Sequence, residues 1–154
     1  MIKKYHQLSY YKIGDKMRTF YIFKISKNMT LLTEDNPYNL YKTLEEIYLL
    51  DKKSVSYGKD LLDQLIIPIN KEKYNRVIYE INKDNDFYMK MGDKHTIYNR
   101  YRDESTTIII KNSHIILQTT SINKNITNFL PSRNLFVCDF KNKDYFWLSK
   151  LVHI

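Results

Sequence analysis

The 154-residue chain contains one cysteine, three glycines and three prolines, and it has no long uninterrupted apolar run. Each scarcity excludes something. Cys138 has no second cysteine for a disulfide or a multi-cysteine zinc site. Set between Val137 and Asp139 in an apolar run, it is expected to be a buried thiol packing as a small hydrophobe. Gly14, Gly58 and Gly92 are isolated, so they build neither a Walker loop nor a dinucleotide fingerprint. No segment approaches the roughly 20 apolar residues needed to span a bilayer. The basic opening stretch lacks a continuous apolar centre, so no signal peptide is read and a cytoplasmic location is expected.

What the chain does have is aromatic surface. Fourteen tyrosines, seven phenylalanines and one tryptophan accompany a 43% hydrophobic content, enough for one folded domain with a substantial core. A tyrosine packs its ring and keeps its hydroxyl wet or hydrogen-bonded. The formal charge of +8 permits attraction to nucleic acid, an anionic membrane or an acidic protein without choosing among them. Acids such as Glu45-Glu46, Asp60, Asp63 and Asp103-Glu104 interleave with the bases, so most of the charge is expected on solvated faces.

Residues 1–16 are polar and basic and are expected to be a flexible leader, with the domain running over 17–154. An edge strand using Tyr5, Leu8, Tyr10, Tyr11 and Ile13 is the alternative. Arg18 to Ile25 is a bulky β-favouring run and predicts a buried strand. Asn36-Pro37 opens a helix whose stripe is Leu40, Tyr41, Leu44, Ile47 and Tyr48, with Lys42, Glu45 and Glu46 towards water. A second helix is expected over Lys59 to Leu65. Ile66 to Ile69 forms a connection that Pro68 keeps out of a helix. Asn70 then caps a third helix carrying Tyr74, Val77, Ile78 and Ile81.

Beyond Asp86 the pattern becomes β, with strands predicted at Phe87 to Met91, His95 to Tyr101, Ser105 to Ile110 and His114 to Thr119. The last two form a hairpin about Lys111-Asn112-Ser113. The runs Ile108 to Ile110 and Ile115 to Leu117 imply a sheet covered, at least in part, on both faces. A short helix from Ser121 or Asn123 to Leu130 and a closing strand at Leu135 to Phe140 complete a mixed α/β or α+β domain with several short helices.

Catalytic chemistry finds little support. The four histidines form no local metal motif. His114 is expected to be a satisfied strand residue and His95 to be exposed after the Gly92-Asp93-Lys94 turn. The carboxylates lack a stated reason for an altered pKa, and Ser121 and Ser149 lack an activator. No enzyme, cofactor or metal is therefore expected. Tyr98-Asn99-Arg100-Tyr101-Arg102 supports an alternative, because arginines contact phosphate and tyrosines stack on bases. As a strand it would place Tyr98, Arg100 and Arg102 on one face and Tyr101 on the other. The alternative function is thus a small nucleic-acid-binding or nucleic-acid-processing protein.

The block Leu135-Phe136-Val137-Cys138-Asp139-Phe140, followed by Tyr145-Phe146-Trp147-Leu148, resembles the sporulation inhibitor of replication family, SirA. Phe20-Tyr21-Ile22-Phe23-Lys24 and Ile67-Pro68-Ile69 fit the same order, and together they cover most of 17–151. The resemblance implies a compact α/β protein, without cofactor or turnover, that binds the N-terminal domain of the replication initiator DnaA. A cytoplasmic monomer with no membrane association is the corresponding expectation. The family's contacts lie on an early helix with aromatic anchors. The equivalent region here, Ser26 to Thr33, offers Met29, Leu31 and Leu32 instead, with Lys24 and Lys27 as basic neighbours. Phe140 and Trp147 are expected to close the fold and not to bind a partner.

Overall fold

A computed structural model of the chain describes residues 6–7, 17–50, 55–121 and 134–152. In chain order the elements are β1 (His6–Gln7), β2 (Arg18–Lys24), α1 (Lys27–Thr33), α2 (Tyr38–Leu49), α3 (Val55–Leu65), α4 (Lys71–Asn82), β3 (Tyr88–Met91), β4 (Lys94–Asn99), β5 (Glu104–Ile110), β6 (Ile115–Thr119), β7 (Leu135–Asp139) and β8 (Asp144–Trp147). A short 3-10 turn, Leu148–Lys150, leads into β9 (Leu151–Val152). The result is one mixed α/β domain. The short helix expected between Ser121 and Leu130 lies outside the described residues. So does most of the expected leader, apart from β1, which pairs in parallel with β9.

Seven strands form one sheet in the order β3-β4-β5-β6-β2-β7-β8, and every neighbouring pair is antiparallel. Turn chemistry sets the hairpins. Gly92 turns β3 into β4 at φ +60°, a conformation that glycine adopts without a Cβ penalty. The β5–β6 hairpin closes where expected, with the Lys111 amide donating to the His114 carbonyl at 2.9 Å.

Alternation along β2 separates two cores. Phe20 and Ile22 join Ile97, Ile108, Ile110, Ile115, Leu117, Leu135 and Val137 under α4, which contributes Tyr74 and Ile78. Phe23 and Ile25 face the other way, with Phe136, Cys138, Phe140 and Trp147, under α1 to α3. Both faces are therefore covered along β2 and β7, where the burial of Leu135 to Asp139 is uninterrupted. The isoleucine runs of β5 and β6 are not doubly covered. Ile108, Ile110, Ile115 and Leu117 are buried, whereas Ile109 and Ile116 on the opposite face stay partly exposed.

The helices start as their flanking residues dictate. The Asn70 side chain accepts from the Lys73 amide at 3.1 Å, and Ser26 accepts from Met29 at 3.4 Å. Pro37 stands at the cap of α2 with no side-chain bond, and its carbonyl takes the Tyr41 amide at 2.9 Å. One helix expectation is corrected. Glu45 is not turned to water: it is buried, and accepts from Tyr41 Oη at 2.9 Å, Lys42 Nζ at 2.8 Å and Lys143 Nζ at 3.2 Å. Tyr48, expected on the buried stripe, is half exposed and stacks on Phe140 at 4.5 Å. Lys42, Tyr41 and Lys143 hold the Glu45 carboxyl down at about 2.

Candidate interaction surfaces

α1 is a seven-residue helix fixed from inside. Thr30 Oγ1 donates to the Ser26 carbonyl at 2.9 Å and Thr33 Oγ1 to the Met29 carbonyl at 2.6 Å. Thr33 is buried and Met29 packs against the second core. Leu31 and Leu32 point outward, 68% and 77% exposed. The apolar patch anticipated from Met29, Leu31 and Leu32 is thus split into one inward anchor and two outward leucines. Lys27 is exposed at the helix start. Lys24 alternates with Phe20 and Ile22, which puts it on the α4 side of β2, away from the layer that contains α1.

The second region lies where β4 turns into β5. Tyr98 is in β4, but the strand ends at Asn99, and Arg100, Tyr101 and Arg102 occupy a turn. The simple alternation expected of Tyr98 to Arg102 therefore does not hold. Asn99 Oδ1 accepts from the amides of Tyr101 and Arg102 at 3.1 and 3.3 Å, and Asp103 follows at φ 49°. Tyr98, Arg100, Tyr101 and Arg102 are nevertheless brought to one cleft of about 740 Å³. Arg100 sits 5.8 Å from the centre of the Phe87 ring, which meets Tyr98 edge-on at 6.0 Å. Tyr98 Oη donates to Asp103 at 3.0 Å, and this carboxylate pushes the phenol's pKa up. Asp84, Asp86 and Glu104 also line the cleft. That many carboxylates beside two arginines disfavour a polyanion inside it.

His95 overturns its expected exposure. It is fully buried between α4 and the β3–β4 hairpin, because the residue after the polar turn alternates inward beside Ile97. Its Nε2 lies 2.7 Å from Asn75 Oδ1 and its Nδ1 2.7 Å from Tyr88 Oη. Asn75 spends its amide nitrogen on Asp93 at 2.9 Å, so its oxygen faces the ring and the imidazole carries its proton on Nε2. Asp93 in turn pairs with Lys71 at 2.7 Å. Burial pulls the imidazole down to about 4, which keeps it neutral. His114 behaves as expected: Ser113 Oγ lies 2.7 Å from its Nδ1, and its ring lies against Tyr21 and Phe23.

Two other polar constellations are structural. Arg18 bonds Asp139 at 2.8 Å and Asp144 at 3.3 Å while lying 4.7 Å from the Phe20 ring centre, which ties β2 to the β7–β8 turn. Cys138 is buried and its thiol pKa is pushed well up by that burial, the opposite of an activated nucleophile. Among the described residues, no three histidine, cysteine or carboxylate side chains are grouped to hold a metal, and no helix is long and apolar enough to cross a membrane.

Phe87 and Asn75 went unnoticed as contributors in the sequence. The spacing of Phe87, Met89 and Met91 was a usable signal for the first; nothing local marks the second. Neither a protein-family model nor a curated protein sequence matches the chain.

Proposed function

We propose that the chain is a non-enzymatic protein-binding module of the SirA kind, which docks on the N-terminal domain of the replication initiator DnaA and thereby restrains initiation. The observation that supports this reading best is the state of α1. Its inner residues are anchored by Met29, Thr30 and Thr33, while Leu31 and Leu32 stay in water, so that covering them with a partner would release apolar surface from solvent. A rigid element that presents two adjacent apolar side chains is suited to act as an interface anchor, where a few residues carry most of the affinity. Lys27 at the helix start favours encounter with an acidic partner and contributes little to the final affinity. The Leu135–Asp139 and Asp144–Trp147 strands, which carry the sequence resemblance, serve as scaffold in this reading.

Calorimetric titration of the purified chain into the initiator's N-terminal domain, without nucleic acid, tests the proposal. Saturable binding is expected, and Leu31→Ala with Leu32→Ala should weaken it by roughly 30-fold or more. No binding between two folded partners would remove the partner assignment. Unchanged binding by the folded double variant would keep the partner and move the site away from α1.

A further inference from the structure

A second cleft, of about 670 Å³, lies where the end of α2, one face of α3 and the β5–β6 hairpin meet. Ile47, Leu50, Leu62, Ile66 and Pro68 give it an apolar floor. Gly58 shapes one side: a Cβ there would stand 2.6 Å from Leu50 Cδ1, and the bare glycine lets Leu50 lie against α3. Backbone ties hold the parts in place. The Ile67 amide donates to the Lys24 carbonyl and the Ile69 amide to the Asn112 carbonyl, each at 2.7 Å, and Ile66 bridges to Ile25. The polar lining comes mainly from the hairpin, as Lys111, Asn112, Ser113 and His114. Lys59 and Asp63 stand one turn apart on α3, where their charges offset each other. Lys111 has no such counterpart: Asp63 is the one carboxylate among the described lining residues, and neither lysine is ion-paired among the described residues.

We propose that this cleft binds a small amphipathic anion, an aliphatic chain ending in a carboxylate or phosphate head group. The volume falls within the roughly 300–1,000 Å³ of small-molecule sites, and the lining has their character: an apolar floor with a few convergent polar groups. The chain lies on Ile47, Leu62 and Ile66, and the head group meets the hairpin wall. There the Lys111 ammonium supplies the charge, and Ser113 and His114 supply hydrogen-bonding groups. Ser113 Oγ lies 2.7 Å from His114 Nδ1, which leaves Nε2 as the ring's other hydrogen-bonding atom. Burial, and then the Lys111 ammonium, lower the pKa of this imidazole, so it is neutral at pH 7 and Lys111 carries the attraction. A cationic head would meet Lys111 as a like charge, and an uncharged chain would use the floor alone. Leu31 and Leu32 of α1 do not line the cleft, so the inference stands apart from the initiator reading.

The test is titration of decanoate and of decyl phosphate, below their aggregation thresholds, into the isotope-labelled full chain, followed by amide chemical shifts. Saturable shifts are expected at Lys59, Leu62 and Lys111 to His114, and the tighter of the two probes identifies the head group. Decanol and decyltrimethylammonium share the tail and should bind roughly 5-fold or more weakly. Lys111 is exposed, so Lys111→Glu should keep the melting temperature, weaken both anions by roughly 5-fold or more and leave decanol unchanged. No saturable shift with either anion, shifts centred outside the cleft, or a cation or alcohol bound as tightly as the anions would each overturn the inference. So would a folded Lys111→Glu protein that binds the anions as wild type does, or one that loses initiator-domain binding alone, which would make this wall a protein interface. The Leu31 and Leu32 double variant separates the two proposals, because it should bind decanoate normally.

Discussion

The two sides of this sheet are built from similar residues and end in different states. On the α4 side, one helix and the inward side chains of six strands form a continuous core, and even the polar members there, His95 and Asn75, are bonded to partners. On the other side, three helices crowd β2, β7 and β8 and leave β3 to β6 in the open. A continuous core serves stability; an apolar or aromatic residue left exposed on a rigid scaffold is available for binding. α1, the surface proposed for the initiator domain, belongs to the second side.

The largest effect expected is at the closed end of that second side. Trp147 is buried against Phe136, with ring centres 4.8 Å apart, so Trp147→Ala should cost roughly 3–5 kcal/mol in a denaturant titration. Its indole nitrogen has no hydrogen-bond partner among the described residues. Trp147→Phe forfeits no bond, and should retain most of the stability that the alanine loses. A W147F variant as unstable as W147A would mean that the indole is held by more than packing.

The contrast between faces is sharpest within β5. Ile108 is buried beneath α4 and Ile109 points to the open half. Ile108→Ala should cost about 2–5 kcal/mol. Ile109→Ala removes a side chain that is still partly in water, and about 1 kcal/mol or less is expected. Equal costs would mean that something covers Ile109.

Acid should probe the two sides in different windows. His95 has a folded pKa near 4, below its ordinary 6.5, so the folded state holds fewer protons than the unfolded one between these values. Its contribution is complete above about pH 6.5 and is lost as pH falls towards 4, with an upper bound of roughly 3 kcal/mol before solvent screening. Glu45 is also depressed, to about 2, so its contribution is present above about 4.5 and disappears only as pH falls further. Melting curves from pH 7 to 3 should therefore show a first decline that His95→Gln removes and a later one that Glu45→Gln removes. A His95→Gln protein with the same decline between pH 6.5 and 4 would contradict the assignment of that window to the α4 side.

Much of the architecture was legible because it rests on local patterns. The α2 stripe, the Asn70 cap, the hairpin at Lys111–Ser113 and the strand at Leu135 each follow from neighbouring residues alone. What stayed hidden depended on partners distant in sequence. Glu45 looked solvated until Lys143 arrived from the β7–β8 turn, and His95 looked exposed until Asn75 of α4 was placed over it. The triplet Ile108 to Ile110 suggested double coverage because a sequence run cannot say which strands the helices reach. At the candidate surfaces the types of residue were legible, but their directions were not. Met29 and Leu32 are alike in hydrophobicity, and only the packing of α1 separates them.

The smallest stability effect is expected where the functional effect is greatest. Met29 packs against the second core, so Met29→Ala should destabilise the fold by roughly 1–3 kcal/mol, a partial version of a buried methionine truncation. Leu31 and Leu32 have most of their surface in water already, and their joint replacement by alanine should shift stability by no more than about 0.5 kcal/mol, since alanine is also the better helix former. If α1 is the initiator-binding element, that nearly silent pair should abolish or severely weaken binding, while Met29→Ala should reduce it only as far as it disturbs the helix. The comparison therefore needs both variants measured for melting temperature and for affinity. A protein interface at α1 predicts opposite rank orders in the two measurements. Matching rank orders, with Met29→Ala worse in both, would make α1 an ordinary packing helix whose outward leucines serve no partner.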